Sequence, residues 1–192
     1  MQSHLIKTYL PYLVVAVLIT VLYFCPKTVQ LTLEYNSLAI EAGQLWRLLT
    51  GHFLHSNLYH LLMNLCGLFV IMLLHAPLKQ RLAFAWQVLV ISLATSLCLW
   101  FFAKDLTLYV GLSGVLHGIL CFGAVLDIRQ GFRSGILILL GVAVKLAFEQ
   151  YFGPDAELAA KLAAEVAIDA HLFGAICGVL LGLALFSRTP HR

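Results

Sequence analysis

The sequence predicts an all-α membrane protein, a bundle of six spanning helices with a membrane-associated first outer loop. Three observations predict it. Hydrophobic residues make up 61% of the 192 positions, against roughly 45–50% in soluble domains. Charged residues are 11%, against roughly 25%. The apolar positions also fall into six runs separated by breakers. This composition excludes a soluble enzyme and a disordered chain. The net charge of +3 has no basic cluster behind it, so no nucleic-acid partner is expected.

A spanning helix needs about 20 mostly apolar residues. The segments run over about 9–24, 58–74, 82–102, 113–126, 134–148 and 169–186, and all of 1–192 reads as a single membrane domain. Pro26, Pro77, Gly111, Gly131 and the Gly153-Pro154 pair separate them. The first segment follows Lys7 as a signal peptide would. It ends in the bulky Phe24-Cys25-Pro26, which offers no small-residue cleavage site, so an uncleaved span is expected.

Charge sets the orientation. With a cytoplasmic N-terminus, the inner side holds Lys7, Lys79, Arg81, Arg129, Arg133, Arg188 and Arg192. The outer side holds Lys27, Arg47, Lys104, Lys145 and Lys161. The excess of Lys and Arg in short inner loops satisfies the positive-inside rule and puts both termini in the cytoplasm. Two outer loops carry more than connection. The stretch from Pro26 to Gly51 has mixed polarity and includes Trp46 and Arg47. The stretch from Asp155 to Ala167 (DAELAAKLAAEVA) is helix-forming but too charged to span, which suits an interfacial or capping position. The five cysteines include no C-x-x-C pair, so they read as small buried hydrophobes.

Polar groups inside a bilayer are expensive, and each is a functional hypothesis. The second, fourth and sixth spans all begin at the outer face. They carry His60 and Asn64, Ser113 and His117, and His171 respectively. At 1.5 Å per residue, all lie within roughly 10 Å of the outer helix ends. The odd-numbered spans show little comparable polarity, and the inner halves of the even ones are almost wholly apolar. A transport pathway needs polarity through the full depth, so a channel fits poorly.

Local patterns give these residues chemistry. Ser113 lies in GLSGVLHG (111–118), between Gly111 and Gly114, where a loop turns into a helix. Backbone N–H groups at a helix start suit an oxyanion. A packing serine with small neighbours is the simpler reading of the tetrapeptide alone. His171, Gly174, Gly178 and Gly182 share one helical face, and Gly-x-x-x-Gly lets another helix approach closely. The fourth span offers a matching small face at Gly114 and Gly118. If these faces meet, His171 reaches Ser113 and can serve as its base. His60 and Asn64 lie one turn apart and carry side-chain donors for an oxyanion, or serve as polar glue between helices. His52, His55 and His75 taken singly read as structural. No H-E-x-x-H motif is present, and Asp169 is set two residues before His171 and points elsewhere. No metal site and no cofactor are therefore expected.

In order along the chain, Trp46-Arg47, HSNLYHLLMN (55–64), GLSG (111–114) and AHLFGAICG (170–178) resemble the rhomboid intramembrane serine proteases over essentially the whole length. The resemblance implies a six-span core and a Ser113–His171 dyad without a third carboxylate. It also implies an oxyanion hole of His60, Asn64 and the Ser113 backbone N–H, with His55 in support. His117 stands where many rhomboids have a tyrosine packed on the catalytic histidine. GLSGVLHG and WRLLTGHFLHSN further resemble the rhombosortase branch. That branch implies transmembrane substrates with a C-terminal Gly-Gly motif, a spanning helix and a basic tail. It also implies a bacterial inner membrane with the site open to the periplasm. The alternatives are a general rhomboid protease with other transmembrane substrates and a non-catalytic rhomboid-like protein that binds spanning helices; proteins of the latter kind typically lack the serine or the histidine.

Overall fold

The computed structural model describes residues 2–76, 82–162 and 166–186. Helix α1 covers Gln2–Tyr23, and Gln30 Nε2 donates to the carbonyls of Tyr23 (2.9 Å) and Cys25 (3.1 Å) just past its end. The stretch that follows α1 is structured rather than loose. It contains α2 (Lys27–Leu33), strand β1 (Tyr35–Asn36), α3 (Ser37–Glu41), α4 (Arg47–Thr50) and a 3₁₀ turn over Gly51–Phe53. Helices α5 (Leu58–His75) and α6 (Phe84–Phe102) follow, then strand β2 (Leu108–Tyr109). The chain continues through α7 (Ser113–Arg129), α8 (Ser134–Phe152), the short α9 (Ala156–Leu162) and α10 (Ile168–Phe186).

Among the described residues, four helices are long and apolar enough to cross a membrane: Leu58–His75, Phe84–Phe102, Ser134–Phe152 and Ile168–Leu185. The apolar part of α1, Thr8–Tyr23, is shorter. Helix α7 has 17 residues and carries Asp127 and Arg129 in its last turn. It also takes the central position, buried along nearly all of its length, so its surroundings are protein rather than lipid. The outer faces of the other helices are apolar, as Val17, Leu137 and Val144 illustrate, each more than 60% exposed. An exterior of that kind suits a hydrocarbon environment, and the chain is a multi-pass membrane protein. The Pro77 breaker and the basic residues Lys79, Arg81, Arg188 and Arg192 lie outside the described residues.

The tightest helix contact is that of α7 with α10. A β-carbon on Gly114 would fall 2.6 Å from the Ala170 carbonyl oxygen, and one on Gly118 would fall 2.7 Å from that of Gly174. On the facing helix, β-carbons at Gly174 and Gly178 would overlap the carbonyls of Gly114 and Gly118. Backbone therefore rests on backbone over two turns. Around this pair, Leu61, Ile91, Val115, Ile119 and Phe122 form the main core. At the opposite end of α7, His75 packs onto Gly123 with Nε2 3.9 Å from Asp127, which also accepts from Ser134 Oγ (3.4 Å).

The first loop is fastened to the bundle by named groups. Arg47, itself buried, donates to the carbonyls of Leu31 (2.9 Å) and Glu34 (2.7 Å) and so satisfies the C-terminal end of α2. Trp46 Nε1 donates to Thr32 O at 3.0 Å. Strand β1 pairs antiparallel with β2, and Tyr35, Ile40, Leu48, Leu99, Tyr109 and Ala170 form a second core beneath them. His52 is fully buried, with Nε2 2.8 Å from Ser96 Oγ and 2.9 Å from Ser92 O. Helix α6 thus carries buried polarity of its own, contrary to the sequence expectation, with the Ser96 hydroxyl and the Ser92 carbonyl turned to His52 and not to the lipid.

Two predictions follow from this packing. Gly174→Val should force α7 and α10 apart and cost about 1–3 kcal/mol or more, whereas Gly141→Ala, with nothing within 4 Å, should leave thermal stability in detergent nearly unchanged. Burial holds the His52 pKa down at about 4 from its usual 6.5. The unfolded chain therefore binds a proton near pH 6.5 that the folded chain refuses until about pH 4. Stability should fall as pH drops through that window, and His52→Gln should flatten the fall in unfolding temperature.

Candidate functional site

The site assembles at one end of the bundle, where α5, α7 and α10 begin and α8 ends. Asn57 caps α5, its Oδ1 accepting from the His60 N–H at 2.9 Å. This fixes where the first turn of α5 places His60. Gly111 sits at φ +131°, a conformation that side chains rarely adopt. Its N–H donates to Gly51 O at 3.2 Å, and the Tyr109 hydroxyl donates to its carbonyl. A β-carbon there would lie 2.8 Å from His60 Nε2, so only glycine lets the imidazole lie against this loop. Two residues later Ser113 opens α7.

Ser113 Oγ lies 2.9 Å from His171 Nε2. The two residues are 58 apart in the chain, and the glycine contact of α7 with α10 sets their separation. His117, one turn after Ser113, donates from Nδ1 to the Ser113 carbonyl at 2.8 Å. Its ring stacks on His171, with centroids 4.5 Å apart and planes at 24°. That stacking supports the orientation of the His171 ring. His60 and Asn64 are both buried, and Asn64 Nδ2 donates to the His60 carbonyl at 3.2 Å, which leaves its second proton. The Ser56 N–H points at His60 Nδ1 at 3.5 Å, and its hydroxyl lies 3.1 Å from the same atom. His55 is buried behind His60, ring edge to ring face at 5.0 Å. Burial, followed by the neighbouring His60, pushes the His55 pKa down to about 3.

Ser113, His171, His60, Asn64 and His117 all line one cavity of about 370 Å³. Its deeper part is apolar, with Gly67, Val70, Leu116 and Leu120, and both α5 and α8 contribute to its walls. Leu158 and Leu162 of α9 also line it, together with Val166 and Ala167. Ser56 Oγ donates to Leu162 O (2.7 Å), and Asn57 Nδ2 donates to Lys161 O (2.7 Å), tying α9 to the start of α5. Part of the Asp155–Ala167 segment, residues 163–165, lies outside the described residues. The remaining sequence candidates serve the frame. Gly114, Gly174 and Gly178 form the helix contact, and Trp46 and Arg47 brace the first loop without lining the cavity.

One residue of the site escaped the sequence reading. Glu149 lies in the last turn of α8, past the expected span end at Phe148, with its carboxylate oxygens 3.1 and 3.2 Å from His171 Nδ1. Lys145 Nζ bonds the same carboxylate at 2.6 Å. The expectation of no acid near the histidine therefore fails, and with it the idea that the fifth span lacks polarity. Lys145 and Glu149, four apart on one helical face at the outer end of an apolar run, were the available signal. Asp169 instead accepts from Gln150 Nε2 at 3.4 Å.

A hydroxyl, an imidazole and a carboxylate in series, beside clustered donors, is an arrangement able to perform acyl transfer. No curated protein matches the sequence. A family model, the Rhomboid domain, matches residues 42–188, well over half of the chain and spanning every residue of the site. The chain belongs to the rhomboid family.

Proposed function

We propose that the protein is an intramembrane serine endopeptidase, with Ser113 as nucleophile and His171 as general base and then acid. The 2.9 Å contact between Ser113 Oγ and His171 Nε2 inside a cavity of the bundle carries this reading. As Oγ attacks the scissile carbonyl carbon, its proton passes to Nε2. The tetrahedral oxyanion forms beside His60, Asn64 and the Ser113 N–H, which lies in the first turn of α7, where amides have no intrahelical acceptor. Collapse breaks the C–N bond, and His171 returns the proton to the leaving amine. Water then attacks the acyl-enzyme, gives its proton to His171, and releases a carboxylate as the Ser113 hydroxyl re-forms.

The six-span count, both termini in the cytoplasm and a site facing the periplasm of a bacterial inner membrane belong to the same reading, on the positive-inside argument. So does one membrane domain over the whole chain. The substrate is a single-span protein whose helix enters beside α5 and α8 and unwinds at small residues, where helix is cheap to break. The GLSGVLHG and WRLLTGHFLHSN stretches favour the rhombosortase branch, with a C-terminal Gly-Gly, helix and basic-tail signal as substrate. Helix α9, tethered through Ser56 and Asn57, is the lid over the cavity.

The test is cleavage of a reporter carrying a Gly-Gly spanning helix by the purified protein in liposomes. Ser113→Ala and His171→Ala should each abolish cleavage while unfolding temperatures stay near that of the wild type. Asn64→Ala should cost on the order of 10²-fold, as expected for one oxyanion donor worth roughly 3 kcal/mol. Cleavage retained by Ser113→Ala would overturn the assignment.

A further inference from the structure

We infer that Glu149 is a positioning residue of this site: its carboxylate holds His171 in the one tautomer that can activate Ser113, making a triad of what sequence presents as a dyad. The inference rests on the serine protease reading above. A neutral imidazole carries one proton and has two positions for it. An ionised carboxylate only accepts, and both Glu149 oxygens stand 3.1–3.2 Å from Nδ1. The proton therefore sits on Nδ1, and the lone pair of Nε2 faces Ser113 Oγ at 2.9 Å. With the proton on Nε2 instead, Nδ1 would turn a lone pair toward a negative charge, and Nε2 could not accept from the serine.

The surroundings fit this role better than a simple surface ion pair. Lys145 and Glu149 are four residues apart on α8, yet the lysine is 46% exposed and the carboxylate only 16%. Both line the cavity, the carboxylate turned toward the histidine and the lysine on its more exposed side, where it balances the charge. Lysine and histidine approach Glu149 together, so the carboxylate is held from two directions. His117 stacks on the His171 ring, so ring plane and tautomer are fixed by separate residues. During attack the serine proton joins Nε2, and the resulting imidazolium carries both protons beside a carboxylate that stays ionised. No proton needs to reach Glu149 at any step.

Two measurements test the inference: the reporter assay on Glu149→Gln, Glu149→Asp and Lys145→Met, and ¹⁵N NMR of histidine-labelled wild type with His171→Ala to assign the signal. For Glu149→Gln, kcat should fall on the order of 10²-fold or more with KM changed less than about twofold. Glu149→Asp, which restores the charge, should recover at least about tenfold of that loss, and Lys145→Met, which leaves the carboxylate beside Nδ1, should lose at least about tenfold less than Glu149→Gln. The His171 proton should be found on Nδ1 in the resting enzyme, a measurement that needs no variant at Glu149 to fold. A wild-type rate in Glu149→Gln, equal losses in Glu149→Gln and Lys145→Met, or a His171 proton on Nε2 would each overturn the role of Glu149. Ser113→Ala, run alongside, separates the two claims. Cleavage that survives it removes the protease reading itself, whereas cleavage lost in Ser113→Ala but kept in Glu149→Gln removes only this inference.

Discussion

The contact on which this structure depends is that of two backbones, α7 on α10, with nothing between them but hydrogen. Ser113 and His171 stand at the same end of these helices, and their side chains are short. They meet at 2.9 Å only if the helix axes come closer than ordinary side chains permit. Gly114 and Gly118 on one helix, with Gly174 and Gly178 on the other, remove that obstacle. In a bilayer this is also a main source of association, because lipid offers no hydrophobic drive between helices and close packing must supply it. The same four glycines therefore stabilise the centre of the bundle and set the distance between Ser113 and His171.

A second constraint acts on the loop that delivers Ser113. Residues 108–112 have little structure of their own beyond the two-residue pairing of β2 with β1. They are held by the loop between α1 and α5 through Gly51 O, and that loop is held by Arg47 and His52. His52 reaches Ser92 and Ser96 of α6, so α6 takes part in placing Ser113. A buried, hydrogen-bonded polar network specifies one arrangement more sharply than an apolar contact does. Precision of this kind is useful where an error of about 1 Å can cost on the order of 10²-fold in rate.

Much of this was legible in the sequence, for physical reasons that can be named. Long apolar runs mark helices because hydrocarbon demands internally satisfied backbone, and the expected segments over 58–74, 82–102, 134–148 and 169–186 fall on the four helices long and apolar enough to cross a membrane among the described residues. The glycine spacing predicts which faces meet, since only small residues allow close approach. Other features depend on tertiary contacts that leave no periodic trace. Helix α7 shows an apolar run over 113–126 but is too short and too polar at its end to span by length, and that its neighbours and not lipid surround it is not written in the run. Glu149 looks like a loop acid just past a span, and its partner His171 lies 22 residues away on a helix whose rotation the sequence does not state. The buried Ser92 and Ser96 read as ordinary small residues of an apolar helix until His52 is placed between them and the first loop.

The central claim is that His171 makes Ser113 a nucleophile. The most direct measurement is the site of covalent attachment of a fluorophosphonate, read by peptide-resolved mass spectrometry on the protein in membranes. The account predicts an adduct on Ser113 in the wild type and none on that residue in a folded His171→Ala variant. An adduct on Ser113 that forms as fast without His171, or a reporter-cleaving protein labelled on a different residue, would contradict it.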